Sequence, residues 1–150
     1  MNEPLIQLAY VSQATAPLDD VQLLEILNIS RKNNEQDAIT GFLMHCDGNF
    51  FQVIEGPSET INPLYDRLLK DVRHHQVTKV MLRNIEQRIF GKWSMAFRSI
   101  AIKESEAIPG FSDFLNGYLA GMSDVPGAHP EFIESDVLGI IRSLRERFLG

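Results

Sequence analysis

The chain has 150 residues, enough for one domain of ordinary size with a core of its own and no need of disulfides or metals. Fourteen Lys and Arg against twenty Asp and Glu leave a net charge of −6, which argues against a nucleic-acid or anionic-membrane partner. The single cysteine, Cys46, excludes a disulfide framework; with no secretory signal pattern and no run of about 18 apolar residues, the sequence reads as cytoplasmic and not membrane-associated.

Residues 5–12 alternate as a strand, with Ile6, Leu8, Tyr10 and Ser12 on one face and Leu5, Ala9 and Val11 on the other. Both faces are mostly apolar, which predicts a central strand. From about Leu18 to Asn34 the period becomes helical, and one stripe runs through Leu23, Ile26, Leu27, Ser30, Asn33 and Asn34. It begins apolar and ends polar. Two readings are open: the asparagines end the helix, or the polar end of the stripe faces something that needs amides.

A strand pair over 38–46 and 49–55 follows, joined at Asp47-Gly48-Asn49. Gln52 shares a face with Phe50 and Ile54, and a primary amide stranded inside a sheet costs about 1–3 kcal/mol, so a polar group should face it. Residues 58–72 form a second helical stripe, Ile61, Leu64, Tyr65, Leu68 and Val72, on which Arg67 and Asp71 are spaced for a surface ion pair. Arg73-His74-His75 reads as a loop at that helix's C-terminus, where positive charge suits the dipole; adjacent histidines alone are a weak metal signal. Residues 77–89 and 93–102 predict a further strand pair around Phe90-Gly91-Lys92, with Trp93, Met95 and Phe97 on one face. Beyond Pro109-Gly110 two more amphipathic stripes appear, from Phe111 to Met122 and from Ile133 to Phe148.

The order strand, helix, strand, strand, helix, strand, strand predicts an α+β fold, a ferredoxin-like βαββαββ sheet with two helices on one face. The two C-terminal helices are expected to cover the other face, or alternatively to form a subunit interface. Helix-linked strands are expected to pair in parallel, bringing the first strand beside the strand of Gln52 so that Tyr10 becomes its neighbour. A groove with Asn33, Asn34, Arg67 and Asp71 at its mouth then lies under the helices. No phosphate-cradling loop, zinc pattern or nucleophile elbow is present, and the acidic pairs Asp19-Asp20 and Glu104 with Glu106 read as caps or solubilising charges.

Five segments in order and spacing carry a resemblance: Tyr10 and Ser12; Asn33-Asn34 before Ile39-Thr40-Gly41; the run Phe50 to Gly56; the run Asp71 to His75; and Arg88-Ile89-Phe90 before Trp93-Ser94-Met95. Over roughly residues 5–102 the chain resembles a BLUF domain, the family of blue-light sensors that use flavin adenine dinucleotide (FAD). The resemblance implies FAD as cofactor, Tyr10 as electron donor to the excited flavin and Gln52 as the hydrogen-bond switch. It implies that Asn34 holds a flavin carbonyl and ring nitrogen, that Ser30, Asn33, Arg67, Asp71, Arg73 and His74 border the flavin, and that Trp93 and Met95 occupy positions that relay, or compete for, the place beside Gln52, with Trp93 either inside or turned outward. The expected division is a FAD-binding core over 1–102 and a helical extension for output or oligomerisation over 103–150.

The resulting expectation is a photosensory flavoprotein with no catalytic output domain, not an enzyme, which signals to a downstream protein or through a homo-oligomer. The alternative is a small acylphosphatase-like hydrolase, with Arg73 and Asn34 binding an anion, or another ferredoxin-like ligand-binding module. An RNA-binding module of the same fold is disfavoured by covered aromatics and negative charge.

Overall fold

The computed structural model describes residues 4–120 and 134–149. Its elements in chain order are β1 (Leu5–Ala14), α1 (Asp20–Gln36), β2 (Thr40–Cys46), β3 (Asn49–Pro57), α2 (Ser58–Lys70), β4 (His74–Ile85), β5 (Ala96–Ile100), α3 (Ile102–Ser105), α4 (Phe111–Ala120) and α5 (Glu134–Leu149). The strands form one mixed sheet in the order β4-β1-β3-β2-β5. This is the ferredoxin-like α+β architecture with β5 as an added edge strand. Asp19 begins α1 with a reciprocal cap: its side chain accepts the amide of Gln22, whose side chain accepts the amide of Asp19.

The expected parallel pairing of helix-linked strands is corrected. β3 is antiparallel to both β1 and β2, and β4 is antiparallel to β1; only β5 runs parallel to its neighbour, β2. β1 and β2 point the same way but stand one strand apart, because β3 turns back and fills the space between them. Asp47 and Gly48 permit that reversal, both taking positive φ (49° and 77°) as a two-residue hairpin of matching twist requires.

The second predicted strand pair is also corrected, since β4 and β5 lie on opposite edges of the sheet. The segment between them passes its amides to a carboxylate instead of a ladder. Buried Glu55 accepts the amides of Ile89 and Phe90 at 3.0 and 2.5 Å, and also takes bonds from Gln7 and Thr40 at 3.0 Å each. This draws the connection down onto β3.

Two apolar clusters sandwich the sheet. Ile6, Leu8, Tyr10 and Ile54 face Leu23 and Leu27 of α1 and Ile61 of α2. Ala9, Val11, Phe51 and Val53 face Phe111, Leu115 and Tyr118 of α4 and Val137, Ile140, Ile141 and Leu144 of α5. The two C-terminal helices therefore cover the second face as expected. The ends of their predicted stripes, Met122 and Ile133, lie outside the described residues. Val80 and Met81 are consecutive yet both join the second cluster; the β1–β4 register shifts there, beside Tyr10, as a bulge does.

Candidate functional site

Tyr10 and Gln52 are directly opposed on β1 and β3, on the face beneath α1 and α2. The Tyr10 hydroxyl donates to Gln52 Oε1. Gln52 Nε2 lies 3.5 Å from Met95 Sδ, a weak acceptor, and among the described residues it has no oxygen partner. The amide is only 6% exposed, so an underused pair of donors is held in the interior. Burial raises the pKa of Tyr10 well above the ordinary phenol value, and the negative charge of Asp71 adds to this; the hydroxyl is held protonated. The rings of Tyr65 and His74 flank it, each with its centroid 6.1 Å away.

These two side chains lie in a cleft between α1 and α2, walled by Ile26 and Ile29, Leu64 and Leu68, and Leu43 and Phe50 of the sheet. Ser30, Asn33, Asn34, Arg67, Asp71, Arg73 and His74 all line the same cleft. Asn34 is buried, whereas Asn33, Arg67 and Arg73 are exposed at the rim. The helix does not end at the asparagines, since α1 runs on to Gln36 with Asp37 as its cap. The carbonyl of Asn33 accepts the amide of Asp37 as the helix ends, while Asn34 turns inward and donates through Nδ2 to the Ser94 carbonyl at 2.7 Å.

The expected Arg67–Asp71 pair is corrected. α2 stops at Lys70, so Asp71 is an extended cap residue (φ −72°, ψ 118°) and sends its carboxylate forward rather than back along the helix. It receives Arg73 Nε at 2.9 Å, Arg73 Nη2 at 2.5 Å and the Arg73 amide at 3.0 Å. Hydrogen bonding from Arg73 holds the Asp71 carboxyl below the usual carboxylate range, and the same pairing raises Arg73. His74 and His75 begin β4 and do not form a loop. The His74 ring is fixed at both nitrogens, with Nε2 2.6 Å from the Leu68 carbonyl and Nδ1 2.9 Å from Ser12 Oγ. A carbonyl can only accept, so Nε2 carries a proton toward Leu68, while Nδ1 pairs with the Ser12 hydroxyl.

Of the two residues that compete for the place beside Gln52, Met95 holds it, buried; Trp93 does not share the face of Met95 and Phe97 as alternation predicts. Alternation holds only inside a strand, and β5 begins at Ala96. Upstream of it the chain turns, with the Trp93 amide on the Phe90 carbonyl at 2.9 Å, and Trp93 packs against the cluster under α4 and α5, on the other side of the sheet. Arg31 was missed: its Nε donates to the Met95 carbonyl at 2.9 Å. With Asn34 on Ser94, two side chains three apart on α1 tie down the segment before β5, and that spacing was the available signal.

The cleft suits a planar heterocycle, with apolar walls for its faces, the Gln52 and Asn34 amides for a polar edge, and cationic Arg67 and Arg73 at the rim for an attached anionic group. Among the described residues no three His, Cys, Asp or Glu side chains are grouped to hold a metal, and no helix is long and apolar enough to cross a membrane.

Residues 5–96 match the family model described as sensors of blue-light using FAD. The photoactivated adenylate cyclase subunit beta of Euglena gracilis is 37% identical over 92 residues, 61% of this chain but 11% of the cyclase, so the chain spans only about a tenth of that relative's length. Two solved structures are similar over nearly their whole length. BlrB, a BLUF protein in its dark state, has a TM-score of 0.74 at 26% identity, covering 97% of this chain and 98% of its own. The photo-activated state of BlsA has a TM-score of 0.72 at 26% identity, covering 93% and 94%.

Proposed function

Because the chain belongs to the BLUF family of blue-light sensors that use FAD, we propose that the cleft beneath α1 and α2 binds FAD and that the Tyr10–Gln52 pair is the switch of a photoreceptor. The observation that carries this is the buried Gln52 amide, with its oxygen on Tyr10 and its nitrogen, among the described residues, on nothing stronger than a thioether. Its donors fit the acceptor edge of a flavin ring, and the rest of the cleft fits what is attached to that ring. Asn34 meets ring polar atoms; Ser30, Asn33, Arg67 and Arg73 meet the chain and phosphates at the rim; Asp71 fixes Arg73; and His74, locked between Ser12 and Leu68, stands beside Tyr10.

When bound, the isoalloxazine ring supplies absorption of blue light and, once excited, an acceptor for one electron. Tyr10 is the oxidisable side chain at the floor of the cleft. A phenol that loses an electron becomes strongly acidic, and the Tyr10 proton has its acceptor in place at Gln52 Oε1. Return of the electron and proton restores Tyr10 but leaves Gln52 free to settle in a second arrangement. Tyr10 Oη can either donate to the amide oxygen or accept from the amide nitrogen, and Met95 Sδ discriminates weakly between the two ends. Two arrangements of similar energy, with little backbone motion, are what a light switch requires.

Met95 gives a route outward. Its sulfur meets Gln52, its carbonyl is held by Arg31, and the next residue begins β5, which leads through α3 to the C-terminal helices. A downstream signalling protein or a second copy of the chain receives the change there. The hydrolase alternative draws no support from the family match, whose model is one of blue-light sensors.

The test is to purify the chain, record its absorption before and after blue light, and identify the released chromophore by mass. Flavin bands with a small reversible red shift and released FAD support the reading. A colourless chain that takes up no added flavin overturns it.

A further inference from the structure

At the β4 edge of the sheet, the end of β4, the connection after it and α5 enclose a second groove, which the photochemical reading does not use. Four guanidiniums line it: Arg83 of β4, Arg88 of the connection, and Arg142 and Arg145, three apart on α5; Glu86 is the one carboxylate among the lining residues. This is a local excess of positive charge on a chain whose net charge is −6. Among the described residues none of the four is in an ion pair.

Three of them are instead braced by uncharged acceptors. Arg83 Nε donates to Gln7 Oε1 at 2.9 Å, Arg88 Nη1 to Thr40 Oγ1 and the Glu55 carbonyl at 3.0 and 3.1 Å, and Arg145 Nε to the Ile89 carbonyl at 2.9 Å. Gln7 is itself fully buried and held by Glu55. Each bond orients a planar fork through one nitrogen and leaves the others for an anion, and a side chain already oriented loses less freedom on binding.

We propose that this groove docks an acidic segment of a partner protein, whose Asp and Glu side chains pair with Arg83, Arg88, Arg142 and Arg145. Carboxylates fit better than a phosphate polymer for two reasons. Two backbone amides at the groove's inner side, those of Ile89 and Phe90, are taken by Glu55 and are not offered to a phosphate. A long polyanion also meets the repulsion of the whole chain, whereas a short acidic segment meets mainly the field of the groove.

The probe is a fluorescein-labelled oligo-glutamate of about ten residues, titrated with the full chain in the dark and followed by anisotropy. No chromophore is needed, so the outcome is independent of the photochemical reading. Binding is expected at low salt and is lost as salt rises. Arg142→Glu with Arg145→Glu weakens it at least about tenfold, while Lys32→Glu with Lys103→Glu, exposed residues outside the groove, leaves it unchanged. Circular dichroism checks each fold, and Arg142→Gln with Arg145→Gln replaces the reversal pair if that pair misfolds. Absence of binding, an equal loss in the lysine pair, or tighter binding of a DNA duplex of equal charge overturns the proposal.

Discussion

Gln52 faces Tyr10 through two properties of β-sheet: side chains alternate, and the antiparallel register aligns residue 10 with residue 52. Alternation was legible in the sequence, because Phe50, Gln52 and Ile54 share a parity; register was not, because it depends on which strand inserts beside β1. Tyr10→Phe removes the donor to Gln52 Oε1, with an expected cost of about 1–3 kcal/mol in a denaturant titration. The variant should still bind flavin and lose its light response; an intact light response in it counts against Tyr10 as the oxidised group. The chain's three tyrosines, Tyr10, Tyr65 and Tyr118, all have pKa values raised by burial, Tyr118 to about 12. Between the ordinary phenol value near pH 10 and these higher values the folded chain holds more protons than the unfolded one, so this stability is fully present below about pH 10 and is lost as pH rises further. The ultraviolet tyrosinate signal should therefore be small in the folded chain at pH 10 and jump on unfolding; full titration of all three near pH 10 in the folded chain contradicts their burial.

At the scale of elements, errors in the sequence reading come from element ends. Extending α2 by two residues gave Asp71 the wrong arginine, and extending β5 backward put Trp93 on the wrong side of the sheet. Both mistakes apply a helix or strand period where the chain has already turned, and the turn near Phe90 is imposed by Glu55, thirty-five positions away in sequence. The polar end of α1 was legible, since Ser30, Asn33 and Asn34 continue an apolar stripe and do border the cleft. At Gly41 β3 leaves no room for a side chain: a Cβ there meets the Val53 carbonyl oxygen at 2.1 Å, and backbone must move to admit it. Gly41→Ala is expected to cost at least about 1–3 kcal/mol and to lower flavin retention, because Val53 adjoins Gln52. An unchanged unfolding midpoint contradicts this packing.

The whole molecule is a sheet covered on both faces, with chemistry on one side and a second apolar layer on the other. The layer of α4 and α5 was legible from its stripes; that it shares one core with Phe42, Phe51 and Phe90 of the sheet side was not, because stripes do not name their partners. At about 1.5–3 kcal/mol for each fully buried large apolar side chain, the α4 and α5 contacts contribute on the order of 10–20 kcal/mol, comparable with the entire ~5–15 kcal/mol stability of a domain. Deleting residues 105–150 should thus yield a chain that aggregates or binds a hydrophobic dye, read by size-exclusion chromatography; a soluble, monomeric, yellow product contradicts the shared core. The central claim is that a buried amide with two hydrogen-bonding arrangements converts light into a lasting change. The light-minus-dark absorption spectrum of Gln52→Leu tests it most directly. The account predicts that this variant binds flavin as the parent does and shows no reversible red shift; a shift and dark recovery like those of the parent contradict it.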